Sequence, residues 1–153
     1  MSSKTLYIIR GLPGSGKSTL GEKLADTYYN YHPVYGGVRP YSFAADDWFT
    51  NEDGSYDFDP MELTQAHEDC RARVLGAMLE KVENIAVCNT FTQAWEAEPY
   101  VKLCKLHGYT PVVLECQNQF GNIHGCPQEK INEMADRWDS REDFMYQLEN
   151  IQQ

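Results

Sequence analysis

The sequence predicts an α/β fold, a parallel four-stranded sheet with helices on both faces. Three observations carry that reading. Four short apolar runs, rich in β-branched and aromatic residues, alternate with stretches of helical pattern. A glycine-rich connection, "RGLPGSGKST" at residues 10–19, joins the first of these runs to the first helical stretch. The 153 residues, 42% of them hydrophobic and 24% charged, suffice for one buried core, and no repeat or Pro/Gly/Ser linker divides them. Residues 1–153 are therefore read as a single domain.

Each element has its own signal. "TLYIIR" (5–10) reads as a buried strand stopped by Gly11, and "KSTLGEKLADTYY" (17–29) as a helix. "NYHPVYGGVRP" (30–40) is turn-rich, and "YSFA" (41–44) gives a second short strand ending at "ADDWF". After the turn "NEDGSYDFDP", a long helix spans 60–83, with Pro60 in its first turn. Leu63, Cys70, Val74, Met78 and Val82 recur on one of its faces. "NIAVCNT" (84–90) is the third strand, followed by a helix over 93–108 closed by Gly108, with Pro99 at an expected break or kink. "TPVVLEC" (110–116) is the fourth strand. "QNQFGNIHGCP" (117–127) reads as a mobile segment, and "PQEKINEMADRW" (127–138) as a helix before a terminal helical stretch.

Charge and cysteine content narrow the partners. Thirteen basic against twenty-three acidic residues give a net charge of −10. Nine Asp and Glu fall between Arg39 and Arg71 with no basic residue among them. Such a surface repels a polyanion, so no long footprint on duplex DNA is expected, although a nucleotide or a short nucleic-acid end remains compatible. The five cysteines are widely spaced without a C-x-x-C pair, which fits reduced thiols. No apolar stretch has membrane-spanning length and the start has no signal-peptide pattern, so a cytoplasmic location with no membrane partner is expected.

The glycine-rich connection carries the chemistry. Gly11, Gly16, Lys17 and Ser18 satisfy G-x-x-x-x-G-K-[ST], the phosphate-cradling P-loop pattern. Glycines allow successive backbone N–H groups to turn inward as an anion nest, where a Cβ would block the turn or the phosphate. The pattern therefore assigns Gly11, Leu12, Pro13, Gly14, Ser15, Gly16, Lys17, Ser18 and Thr19 to a nucleotide phosphate site that also holds Mg²⁺, and the resemblance given below makes the nucleotide ATP. Lys17 reaches the β- and γ-phosphates, the Ser18 hydroxyl is the metal ligand, and the following helix adds its positive end.

What acts opposite the phosphate is read from the second strand. Asp46 and Asp47 follow it, at the carboxyl edge where open α/β sheets bind ligands. A carboxylate there can take a proton from an attacking hydroxyl or hold the water shell of Mg²⁺; alternatively, both aspartates cap the short helix that follows.

At this point a resemblance enters. "RGLPGSGKST", "AADDWF", "GSYDFDPMELTQAHEDC", "CNTFTQAWEAEPYVKL" and "NIHGCPQEKINEMADRW" together resemble the polynucleotide-kinase-like P-loop proteins over nearly the whole chain. That group includes the 5′-hydroxyl kinase domain of bacteriophage polynucleotide kinase and small proteins labelled AAA-family ATPases. The resemblance implies a P-loop NTPase fold with strand order 2-3-1-4 and a mobile lid. It implies Asp46 as general base for the acceptor hydroxyl, Lys17 as a stabiliser of transition-state charge and Ser18 as the Mg²⁺ ligand. The acceptor side departs from the pattern. Phe49 stands where the phage enzyme has an acceptor-binding arginine, the stretch 119–125 holds no lid arginine, and Cys88 stands where relatives often have an aspartate.

Replacement cations and acceptor contacts follow from spacing. Lys130, Arg137 and Arg141 share a helical face if the helix continues through Ser140, and Arg137 is the preferred lid residue. The same residues also suit a solvated face, with Glu133 and Arg137 paired four apart. His124, between Gly121 and Gly125, is placed to donate to a phosphate, or is a plain loop histidine. Asn89, Thr90 and Thr92 line the acceptor side or cap the next helix. Asp47 joins them as a substrate contact, while His67 reads as a helix histidine near the core. Trp48, Phe49 and Trp95 suit base stacking, with ordinary burial the default. These readings lead to a kinase that moves the γ-phosphate of ATP to a hydroxyl, first of all on a nucleotide or polynucleotide. The alternatives are a nucleoside, small-metabolite or hydroxymethylated-base kinase, and an ATPase or nucleotide-binding switch.

Overall fold

Six residues, Thr5–Arg10, form β1, and two parallel neighbours enclose it: β5 (Asn84–Asn89) and β6 (Thr110–Glu115). The computed structural model describes residues 3–30, 37–117 and 126–152. In the register, Ile9 lies between Cys88 and Leu114, and Arg10 between Asn89 and Glu115. The short β4 (Ser42–Phe43) pairs in parallel with β5, giving the order β4-β5-β1-β6. For the four parallel strands in chain order this is 2-3-1-4, as the resemblance implied. Because all four run the same way, the turns that follow them gather at one edge.

The two faces of the sheet bury different helices. Leu6 and Ile8 of β1, with Ile85 and Val87 of β5, pack against α2 (Leu63–Leu79), α3 (Ala94–His107) and α5 (Arg141–Gln152). Ile9, Ala86 and Cys88 point the other way, toward α1 (Lys17–Leu24). Alternate residues of one strand thus serve opposite layers, as the two-residue strand period requires. Close approach of α1 depends on Gly21. A Cβ there would lie 2.5 Å from Cys88 Sγ and 2.5 Å from Ser42 Oγ.

The structure departs from the sequence reading at four places. First, α1 ends at Leu24 instead of running to Tyr29. Ala25 is extended, the Asp26 N–H donates to Asn84 O at 2.9 Å, and the Asp26 carboxylate accepts from Asn84 N and Nδ2. Thr27–Asn30 then forms β2, antiparallel to β3 (Gly37–Pro40), in keeping with the strand preference of Thr and Tyr. Second, the helix expected over 60–83 begins as a 3-10 turn at Pro60–Glu62, capped by Asp59, and α2 itself ends at Leu79. Its buried stripe is Ala66, Cys70, Val74, Ala77 and Met78, whereas Leu63 is exposed and Val82 lies beyond the helix. Third, α3 runs unbroken through Pro99, because Ala94, Ala97, Tyr100, Val101 and Cys104 fix both sides of the proline to the core. Fourth, the helix after Pro127 stops: α4 spans Gln128–Asp136, and residues 137–140 are not helical. The lid expected over 117–127 lies mostly outside the described residues. The five cysteines are free. Among the described residues, no helix is long and apolar enough to cross a membrane.

The break after α4 has a visible cause in Arg10, which is 1% exposed. Its Nε donates to Phe91 O at 3.0 Å, and its Nη2 donates to Thr92 O and Asp139 O at 3.2 and 2.9 Å. Its Nη1 pairs with Glu115 at 3.1 Å. The rings of Trp138 and Phe144 lie 4.0 and 3.9 Å from the guanidinium carbon. The five-donor fork of arginine is the side chain that can satisfy this set. Continuing α4 through Ser140 would remove the Asp139 carbonyl and the Trp138 ring from it. Arg10→Ala leaves three carbonyls and a carboxylate without their donor, so urea unfolding is expected to show a loss of about 3–5 kcal/mol. An unchanged midpoint would show that the fork does not hold the C-terminal segment.

Candidate functional site

The site starts where β1 ends. The Gly11 N–H donates to Thr90 O at 3.2 Å, which ties the loop entrance to the end of β5. The chain then turns through Gly14 (φ 83°) and Gly16 (φ 94°), a left-handed backbone that other residues adopt only with strain. At Gly11 the constraint is close packing: a Cβ would lie 2.3 Å from Ser15 Oγ and 2.9 Å from Cys116 O. Leu20 N donates to Gly16 O at 3.2 Å, so α1 is already hydrogen-bonded at its first turn. Lys17 Nζ reaches back across the loop to Leu12 O at 3.0 Å. Ser15 Oγ is buried with no hydrogen-bond partner among the described residues, although Ser15 N donates to Leu12 O. A glycine-lined concave loop, an orphaned hydroxyl and an eight-residue helix opening at Lys17 suit an oxygen-rich anion. Ser18 and Thr19 are exposed in the first turn of that helix.

Asp46 lies within electrostatic reach of the lysine. Burial lowers the Lys17 ammonium below its ordinary value, and Asp46 opposes this most strongly, ahead of Cys88 and Cys116. Asp46 lies in the 3-10 helix Ala45–Phe49 that follows β4. The Ala45 N–H at the head of that turn donates to Asn89 Oδ1 at 2.9 Å, and Thr50 Oγ1 donates to Asp46 O at 3.0 Å. Tyr56 Oη donates to Asp46 Oδ1 at 2.9 Å. The turn that carries Asp46 is therefore tied to β5 through Asn89, and one oxygen of the Asp46 carboxylate is held by Tyr56.

The neighbouring residues divide by what they touch. Asp47 accepts from the Ala44 N–H at 2.9 Å, which is the capping role, and lies 3.4 Å from Arg73. Arg73 also pairs with Asp69 at 2.9 Å, so two carboxylates offset this cation. Asn89 is buried, with its amide oxygen on Ala45 and its Nδ2 on Cys70 Sγ at 3.9 Å; it organises the turn carrying Asp46. Thr90 is half-buried at the loop entrance. Thr92 is buried and bonds Glu96, and its Oγ1 also accepts from Arg137 Nε at 3.2 Å. Arg137 is thereby placed at the same edge of the sheet, just past the end of α4.

Lys130, Arg137 and Arg141 do not share one helical face, because the helix stops between them; Lys130 pairs with Glu133 at 3.4 Å. His124 lies outside the described residues. His67, half-buried on α2, is held below the ordinary imidazole value by burial, against Glu96 and Asp46. Cys88, where relatives often carry a carboxylate, bonds Lys17 O at 3.5 Å, and burial pushes its thiol up to about 11. Phe49 is 3% exposed and packs on Ala45 and Ala66, so the position of the expected acceptor arginine is part of the core. Trp48 and Trp95, whose default reading was burial, are exposed.

Three contributors escape the sequence reading. Arg10 had a signal, a charge ending an apolar strand. Tyr56 and Arg73 had none, since both act through contacts distant along the chain.

A family model described as an AAA domain, AAA_33, matches residues 6–119. NEDD4-binding protein 2 of Homo sapiens is 36% identical over 142 residues, covering 87% of this chain and 8% of that protein. This chain thus spans a small fraction of the human relative's length. An uncharacterized protein of Pasteurella multocida, PM0531, is 32% identical over 138 residues, covering 86% of this chain and 74% of that one. A crystal structure from Chloroflexus aurantiacus, provisionally described as a kinase, superposes with a TM-score of 0.52 at 16% identity. That match covers 99% of this chain and 76% of the other, and the likeness is one of fold.

The loop makes two opposite demands on its side chains. Ser15→Ala removes a buried hydroxyl that no group among the described residues satisfies, so the thermal midpoint is expected to hold or rise. Gly11→Ala places a methyl against Ser15 and the Cys116 carbonyl, and a loss of about 1–3 kcal/mol is expected. If Ser15→Ala is the more damaging of the two, the hydroxyl has a structural partner after all.

Proposed function

The chain belongs to the AAA_33 family of AAA domains, and from that membership we propose that it is a P-loop kinase moving the γ-phosphate of ATP to a hydroxyl acceptor. In this reading residues 1–153 act as one catalytic domain in the cytoplasm. The observation that carries it is a lysine-bearing glycine loop and, within electrostatic reach of that lysine, an aspartate held by Tyr56 on a turn tied to Asn89, both at the carboxyl edge of one parallel sheet.

The roles follow from position. The backbone of Gly11–Gly16 and the Ser15 hydroxyl cradle the phosphates, and Lys17 leaves Leu12 O for the β- and γ-phosphate oxygens. Ser18 is the residue to hold Mg²⁺, which when bound neutralises phosphate charge. Asp46 accepts the proton of the acceptor hydroxyl as its oxygen bonds to the γ-phosphorus. The bond from that phosphorus to the bridging oxygen breaks, and ADP leaves with the electron pair. Arg137, held at the same edge by Thr92, is the cation placed to offset charge on the transferring group.

The resemblance to polynucleotide-kinase-like proteins makes a nucleotide or polynucleotide hydroxyl the first acceptor class. A second reading, an uncharged alcohol such as a nucleoside, is favoured by Phe49 being buried and Arg73 being paired with Asp47 and Asp69. Radiolabelled ATP with a 5′-hydroxyl oligonucleotide, a nucleoside and a duplex separates these readings. Asp46→Asn is expected to retain ATP binding while transfer falls about 10²–10⁴-fold, and Lys17→Ala is expected to lose both. Full transfer by Asp46→Asn would remove the assigned base.

A further inference from the structure

We propose that Tyr56 is a positioning residue for Asp46, holding one carboxylate oxygen so that the other is presented to the acceptor hydroxyl. This rests on the kinase reading above. The contact is direct, Tyr56 Oη donating to Asp46 Oδ1 at 2.9 Å. Residues 50–57 are built to deliver it. Thr50 and Tyr56 form an antiparallel bridge, Asn51 N donates to Ser55 O, and Asp57 N donates to Phe49 O, both at 2.8 Å. Gly54, at φ 87°, and the Asp53 carboxylate, accepting from Ser55 N and Oγ, close the turn.

The ring itself is confined. Phe49 meets it edge-on at 6.2 Å, and Phe58 lies nearly parallel at 6.4 Å. Phe49 in turn packs on Ala45 and on Ala66 of α2, so the phenol is referenced to the same turn that carries Asp46. An aspartate on a five-residue 3-10 helix is free to rotate about two side-chain bonds. A donor fixed on Oδ1 removes that freedom, and only a preorganised base is efficient.

Burial and the facing Asp46 raise the phenol above its ordinary value, so it stays a donor across the working pH range. The other titratable groups facing Asp46 are Lys17 from α1, His67 from α2, Asp47 in the same turn and Cys126 before α4. Substituting Tyr56 leaves all of these in place.

Tyr56→Phe keeps the ring and its packing while removing the hydroxyl. With radiolabelled ATP and whichever of a 5′-hydroxyl oligonucleotide, thymidine or glycerol the wild type phosphorylates best, kcat is expected to fall about tenfold. KM for ATP and for that acceptor is expected to stay within about twofold, so the loss falls on kcat. Phe58→Leu, which loosens the same cluster but keeps the hydroxyl, is expected to keep the wild-type kcat. A wild-type kcat in Tyr56→Phe, or an equal fall in Phe58→Leu, overturns the proposal. Asp46→Asn separates the two levels. If it retains transfer, the kinase reading has lost its base; if it abolishes transfer while Tyr56→Phe keeps the wild-type kcat, only the positioning role fails.

Discussion

A buried guanidinium at the end of the central strand sets the geometry of the whole carboxyl edge. Arg10 immediately precedes the glycine loop, and its donors reach the β5–α3 connection, β6 and the segment before α5. Removing a cation from water is costly, and the cost is met only when its donors are matched. Here they are matched by two carbonyls of Phe91 and Thr92, the carbonyl of Asp139 and the carboxylate of Glu115, with Trp138 and Phe144 stacked on the plane. The constraint also explains where Arg137 sits. The chain must leave the α4 helix in time to bring Asp139 to Arg10, and that turn places Arg137 on Thr92.

The opposite side of the edge is organised by a second, weaker set of contacts. Asn89, at the end of β5, takes the first N–H of the turn that carries Asp46, while Tyr56 takes one of the carboxylate oxygens. Both work because β4 is short and adjacent to β5, so the turn emerges beside the glycine loop. Small residues make the approach possible: Gly21 lets α1 sit on Cys88 and Ser42. Cys88 occupies the place between helix and sheet as an uncharged thiol.

Much of this was legible in the residues. Alternating apolar runs marked the four parallel strands, and the G-x-x-x-x-G-K-[ST] spacing marked the loop. Strand order came from the resemblance and not from periodicity, since hydrophobic runs carry no information about which strand is whose neighbour. What escaped is non-local. Helical pattern through Tyr29 lost to a pairing with residues 37–40, and the helix expected through Trp138 lost to Arg10, which lies far away in sequence. Acceptor-side residues were the least legible. Asn89 and Asp47 have polar side chains that suit a ligand in isolation, but in the fold they hold Ala45 and Ala44. A side chain's partner is decided by packing, which a one-dimensional pattern does not encode.

The arrangement we propose is a triphosphate gripped by the loop after β1 and faced by Asp46. Isothermal titration calorimetry of the full chain with ATP in the presence of Mg²⁺ tests it most directly. Saturable heat at a stoichiometry near one, abolished by inorganic tripolyphosphate as competitor, is the predicted result. Folded protein that takes up neither ATP nor tripolyphosphate would contradict it.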